Sequence, residues 1–233
     1  MINRALFRHE WARYRWWLAG GALFFLGELI LFAYLAVTYS GHTPSGLHIN
    51  WSWSHDNILQ TGLFAGFFGG LWAYRNERHG ALGFLLAKPL SRREAYDTKA
   101  LAGGLAMALL MLTFPFYYLV LAGTLRIPFH AAVFPITLLD MLWVEVLFLA
   151  GIWLRLLRWS HSQSCGWGKN QGIFILLLVT AVGVLIASGW QTGGLSLGAG
   201  LIDRYPGALL LTGLAALGAC YHFGRRCMEL MDV

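Results

Sequence analysis

Charge is scarce in this chain. Asp, Glu, Lys and Arg make up 12% of its 233 residues, about half the share of a soluble domain. Hydrophobic residues reach 58%, and the mean hydropathy is +0.58. So little polar surface cannot cover a water-soluble globule, which excludes a soluble enzyme or binding module and leaves a single membrane domain. Cysteine is scarce too. Cys165, Cys220 and Cys227 form no CxxC and too small a set for a disulfide framework or a zinc site, so they read as packing residues. Catalytic signatures are missing. There is no HExxH and no GxSxG, and the Gly-Lys at 168–169 lacks the rest of a phosphate loop. Of the histidines only His222 falls in an apolar run, near its end, so bis-histidine haem ligation is not expected. No catalytic residue, metal set or bound cofactor is assigned, and the chain by itself is not read as an enzyme.

What is there is a series of apolar runs. Runs of about 17 to 25 residues are long enough to cross a bilayer as helices. They fall at 17–37, 58–74, 100–122, 131–154, 172–189 and 207–224. The fold class expected is an all-α integral membrane protein with six transmembrane helices. The segment 1–16 carries Arg4, Arg8, Arg13 and Arg15. A helix there would put Phe7, Trp11, Tyr14 and Leu18 on one stripe and Arg4, Arg8 and Arg15 on another, the pattern of an interfacial helix on an anionic leaflet. No small-residue cleavage site follows, and the next apolar run is too long for a signal peptide, so an uncleaved anchor is expected.

The basic residues orient the spans. Six crossings put both termini on one side. That side collects 15 of the 17 Lys and Arg, and the other holds only Arg126 and Arg204. The positive-inside rule therefore makes both termini cytoplasmic, in a multi-pass protein of the cell (inner or plasma) membrane. The net charge of +6 sits in loops beside apolar runs, which fits anionic lipid headgroups rather than nucleic acid.

One polar break is long and internally ordered: 75–99, RNERHGALGFLLAKPLSRREAYDTK, with six of the 17 basic residues. Gly80 to Ala87 is an apolar segment of about two helical turns, too short to span. Lys88-Pro89 breaks it, since proline lacks a donor and displaces its predecessor from the α region. Ser91-Arg92-Arg93-Glu94 has the form of a capping box, so a new helix should start there. A short amphipathic helix on the cytoplasmic side, followed by a capped helix re-entering the bilayer, can serve as a docking element; the same residues equally make an ordinary basic loop.

Glu77, Arg78, Gly80, Leu85, Leu86, Pro89, Leu90, Ser91, Arg92 and the following Lys99 resemble the first cytoplasmic loop of type-2 ABC transporter permeases. Many members have an acidic residue a few places after the glycine; Gly83 lies in that region here. The resemblance covers roughly 25 residues. It implies that 75–99 holds a coupling helix, with Glu77, Arg78, Gly80, Leu85, Leu86, Pro89 and Arg92 at the ATPase docking site. It also implies separate ATP-binding subunits that carry ATP and Mg, and a second permease subunit, identical or related. The function expected is that of the permease subunit of an ATP-driven exporter. Alternatives from other classes are a membrane assembly or immunity factor without transport, and an integral-membrane enzyme.

Within the spans, Gly62, Gly66 and Gly70 repeat every four residues, overlapping GxxxG patterns that let a neighbouring helix come close. Glu28 and Glu145 fall near span centres, where an acid costs roughly 2.5 to 3.5 kcal/mol and should face protein or water. They line a transport path or make interhelical hydrogen bonds; for Asp140 the second is expected. Pro115 should bend the third span. Outside, 40–56 holds His42, His48 and His55 near Asp56, at spacings that match no standard metal site, with Trp51 and Trp53 as interfacial anchors. The glycine-rich apolar segment 190–206 reads as a partial re-entrant segment.

Overall fold

The computed structural model describes residues 3–39, 51–74, 91–125, 133–159 and 206–229. Every element among them is an α-helix: α1 Arg4–Tyr39, α2 Trp51–Ala73, α3 Arg92–Leu125, α4 Val133–Trp159 and α5 Pro206–Glu229. Three described stretches are long and apolar enough to cross a membrane, Arg92–Val120, Thr137–Leu157 and Gly207–Glu229, and Thr61–Ala73 is a shorter apolar helix. The apolar run at 172–189 and the glycine-rich stretch 190–205 lie outside the described residues.

The helix starts follow from local chemistry. Asn3 caps α1 by accepting the Leu6 amide on Oδ1 at 3.0 Å. Ser91 and Glu94 form a reciprocal capping box ahead of α3. The Glu94 amide donates to Ser91 Oγ at 3.1 Å, and the Ser91 amide donates to Glu94 Oε2 at 3.3 Å. Pro206 opens α5 at the one helical position where its missing N–H costs nothing.

Two boundaries differ from those expected. The sequence pattern suggests a separate interfacial helix at 1–16, but α1 runs unbroken from Arg4 through the apolar run to Tyr39. Nothing at 16–19, Trp-Trp-Leu-Ala, stops a helix, and at about 1.5 Å per residue 36 residues exceed the roughly 30 Å hydrocarbon thickness. Of the stripe, Trp11, Tyr14 and Leu18 pack against the protein, with Tyr14 fully buried, and Phe7 stacks on Trp11, while Arg4, Arg8 and Arg15 are exposed. An amphipathic helix buries its apolar face on protein as readily as on headgroups. Similarly, α2 begins at Trp51, seven residues before the apolar run, because 51–57 contains neither Gly nor Pro. Pro115 lies inside α3, which continues past it.

Glycines set the packing. A Cβ on Gly66 would lie 2.6 Å from the Val144 carbonyl oxygen, and one on Gly70 would collide with the Phe148 carbonyl. From the other side, a Cβ on Gly151 would strike the Phe67 carbonyl and lie 3.2 Å from Gly70 Cα. The α2 and α4 backbones are thus in contact through glycines on both helices, as in close membrane helix pairs. Gly62 sits in the same seam, where its Cβ would meet Met111 Sδ of α3 at 2.6 Å and Val144 Cγ2 at 3.2 Å. The fully buried Phe148 ring lies against Gly103 of α3 and edge-on to Tyr14 of α1 at 6.4 Å.

These contacts fix the helix directions. Glu10 lies beside Lys99 and Gly21 beside Leu110, so α1 and α3 are parallel. Gly69 lies beside Met107 and Gly62 beside Met111, so α2 is antiparallel to α3. Gly66 on Val144 and Gly70 on Phe148 make α4 parallel to α2. Gly213 lies against Leu142, and Phe223 stacks on Trp153 at 5.5 Å, so α5 is parallel to α4. The start of α1 and the end of α5 therefore share one end of the bundle.

The outside of the bundle is apolar. Leu101, Leu105, Leu109, Leu112, Phe116 and Leu119 form an exposed stripe along α3, and α1 exposes Leu23, Phe24, Ile30 and Leu31. Exposed apolar stripes of this kind suit contact with lipid or with another apolar surface; in water they would be an aggregation hazard.

Candidate functional site at the base of the 75–90 segment

Five of the first eight side chains of α3 hold another helix. Arg92 Nη1 donates to the Glu229 carbonyl at the end of α5, at 3.4 Å. Tyr96, fully buried, places its ring where a Cβ on Gly224 would be, 5.6 Å from the Tyr221 ring. Asp97 accepts from the Tyr221 hydroxyl at 2.7 Å and lies 3.6 Å from Arg225 Nε, which is equally near Glu229 Oε1. The Thr98 hydroxyl donates to the Glu94 carbonyl at 2.6 Å and accepts the Asn3 amide of α1 at 3.2 Å. The capping box fixes the register from which these side chains project.

Lys99 is the most committed of them. Its ammonium donates to Glu10 Oε1 at 2.8 Å and to the Ala73 carbonyl at 3.4 Å, and lies 4.9 Å above the Tyr74 ring. Ala73 ends α2, so its carbonyl has no acceptor role inside that helix, and a cation there also complements the helix dipole. Glu10 in turn receives Arg13 Nη1 at 2.9 and 3.2 Å, and Arg13 lies 5.0 Å over the Trp72 ring of α2. Lys99 and Glu10 side chains are 1% and 2% exposed. Taking one member from such a pair typically costs about 3 to 5 kcal/mol, because the other charge is left buried. The cluster ties α1, α2 and α3 together at the end of the bundle where α2 finishes and α3 begins.

Of the residues expected at the docking site, Arg92 is described and joins this base. Glu77, Arg78, Gly80, Leu85, Leu86 and Pro89 lie outside the described residues. The acids of the apolar runs are not brought together. Glu145, half-buried on α4, lies against Gly104 of α3, where a Cβ would be 2.8 Å from its Oε2. Glu28, half-buried on α1, falls level with residue 117 of α3 by the Gly21–Leu110 register. At 1.5 Å per residue that is about 20 Å from Gly104 along the bundle. Asp140 is buried. Among the described residues no group of three or more His, Cys, Asp or Glu is placed to hold a metal ion. His42 and His48 lie outside the described residues and His55 is in α2. Cys220 and Cys227 are buried free thiols.

Sequence pattern did not single out Asn3, Glu10, Asp97 or Tyr221. Their partners lie 89 to 124 residues away, and no local periodicity carries such a pairing. One signal was present: Glu10 is the lone acid among the N-terminal arginines.

The side on which this base lies is open to a direct test. In a Cys165→Ser background, cysteines at Ser45 and Lys88, both outside the described residues, should label from opposite faces of intact cells, as the skewed Lys and Arg distribution requires. Labelling of both from outside would contradict the six-span topology.

No protein-family model, no curated protein and no solved structure matches this chain.

Proposed function

We propose that this chain is the permease subunit of an ATP-driven exporter of the type-2 ABC kind. In this account the 75–90 segment docks on a separate ATP-hydrolysing subunit, which carries the ATP and Mg, and a second permease subunit completes the pathway. The observation that carries the proposal is the base of that segment. A loop that only connects two spans has no use for a helix start whose first eight residues bond to three other helices. A loop that receives force does. Through Ala73, Glu10, Asn3 and Tyr221, displacement at 75–90 reaches α2, α1 and α5 together. The sequence resemblance at Glu77 to Lys99 points the same way.

Helix direction supports the six-span arrangement. With α4 and α5 parallel, the chain has to return across the bundle between residues 159 and 206, and the apolar run at 172–189 is of the right length to do so. The converged end then carries the basic residues of 1–16, 75–99 and 225–226, which the positive-inside rule places in the cytoplasm, where an ATPase would bind.

The test is purification of the tagged full chain from its own membranes in mild detergent. An ATP-hydrolysing subunit should co-elute, and hydrolysis should follow the tag. Elution of a chain that is folded and carries no nucleotide-hydrolysing partner, in several detergents and in nanodiscs, would remove the proposal and favour an assembly factor or a membrane enzyme.

A further inference from the structure

The Glu10–Lys99 pair joins residues 89 apart in sequence, and both side chains are almost wholly out of solvent. Buried ion pairs are weak contributors to stability, since well-packed apolar residues of similar volume do as well or better, whereas separating the partners is costly because each charge is then left buried and unpaired. This one holds three helices. Lys99 belongs to α3, Glu10 to α1, and the Ala73 carbonyl that Lys99 also reaches ends α2. A second tie runs beside it, from the Asn3 amide to the Thr98 hydroxyl. Both ties sit at the end of the bundle from which the 75–90 segment leaves and to which it returns. The segment is covalently joined to α2 and α3 only. Without the ties, α1 would meet α3 through side-chain packing alone, along contacts such as Gly21 on Leu110.

We infer that Glu10 and Lys99 are positioning residues that make α1 the third member of the unit moved by the 75–90 segment, so that a displacement there turns the N-terminal helix along with the two helices flanking the segment. The inference rests on the proposed function for the origin of the displacement. The tie itself stands on the geometry alone.

The informative variant is Glu10→Gln with Lys99→Met. It removes both charges together, keeps the volumes close, and leaves no buried charge without a mate inside the pair. The full-length variant should insert and purify, because the glycine seam between α2 and α4 is untouched. Hydrogen exchange then reads the tie directly. Amides of 7–14 should exchange at least tenfold faster than in the wild type, and amides of 137–157 should not change. Wild-type exchange at 7–14 in the double variant would overturn the inference.

A second readout separates a positioning role from a merely structural one. Environment-sensitive labels are placed on the exposed positions Arg8→Cys of α1 and Arg93→Cys of α3, each in a Cys165→Ser background and in complex with the co-purified ATPase. With ATP and Mg added, both labels should respond when Glu10 and Lys99 are intact. In the Glu10→Gln/Lys99→Met background the α3 label should still respond, and the α1 label should lose most of its response. Equal responses at the two positions in that background, or loss at both, would overturn the inference. Silence of both labels with the pair intact would count against the proposed function instead, and the exchange experiment would still decide whether the pair ties α1.

Discussion

Replacing Gly70 with leucine should abolish assembly of the helix bundle. The position has no room for even a methyl group: a Cβ there would overlap the Phe148 carbonyl and sit 3.0 Å from the Ile152 amide nitrogen. Both are backbone atoms, so no rotamer change relieves the collision. Ordinary overpacking costs about 1 to 3 kcal/mol because side chains can shift. Here α2 and α4 must separate, which also strips Gly66 from Val144 and Gly151 from Phe67. Phe148 would lose the seat that brings it against Tyr14 and Gly103. Yield of folded protein in detergent, read by size-exclusion and thermal unfolding, should fall to near nothing for Gly70→Leu. Gly66→Leu should also be severe. Gly27→Leu is the control, because nothing lies within 4 Å of a Cβ there; it should behave as the wild type. A Gly70→Leu protein that melts like the Gly27→Leu protein would mean the seam is not where these helices meet.

The seam shows what was legible in the sequence and what was not. Gly62, Gly66 and Gly70 announce a close approach through their spacing alone. Their partner Gly151 is a single glycine in an apolar run, and nothing local marks it. The same holds at the base of the 75–90 segment. Ser91 and Glu94 are three residues apart, so a capping box can be read from the chain and is present in the structure. Lys99 and Glu10 are distant in sequence, and only folding makes them neighbours. The division of 1–16 from 17–37 went astray for a different reason. Apolar periodicity shows that a face is buried and is silent about the material that buries it. Lipid headgroups and the rings of Trp72 and Phe148 satisfy Tyr14 equally well. The parallel run of α4 and α5 is likewise a tertiary fact, although the apolar runs between and around them already implied an intervening crossing.

The second large effect is expected at Leu85 and Leu86, which lie outside the described residues. Both are apolar, and in the proposed six-span arrangement they fall in the cytoplasm beyond the spans, where apolar side chains need a partner or the membrane surface. If an ATPase covers them, Leu85→Asp with Leu86→Asp puts two charges into a desolvated contact. An unpaired charge there costs several kcal/mol, comparable to the whole of a moderate protein–protein affinity, since each 1.4 kcal/mol is tenfold in Kd. The variant should still insert and fold, because the glycine seam and the Glu10–Lys99 cluster are untouched. Binding of the ATPase should fall by at least a hundredfold. If these leucines serve only to anchor the segment on the membrane surface, ATPase binding survives the change.

Detergent separates those two outcomes, because it removes the lipid surface and leaves the protein contact. The decisive measurement is therefore a pull-down in mild detergent, comparing the tagged wild-type chain with the Leu85→Asp/Leu86→Asp chain at equal folded amounts, with bound ATP-hydrolysing activity as the readout. Docking through 75–90 predicts activity on the wild-type resin and almost none on the variant. Equal activity on both would contradict it.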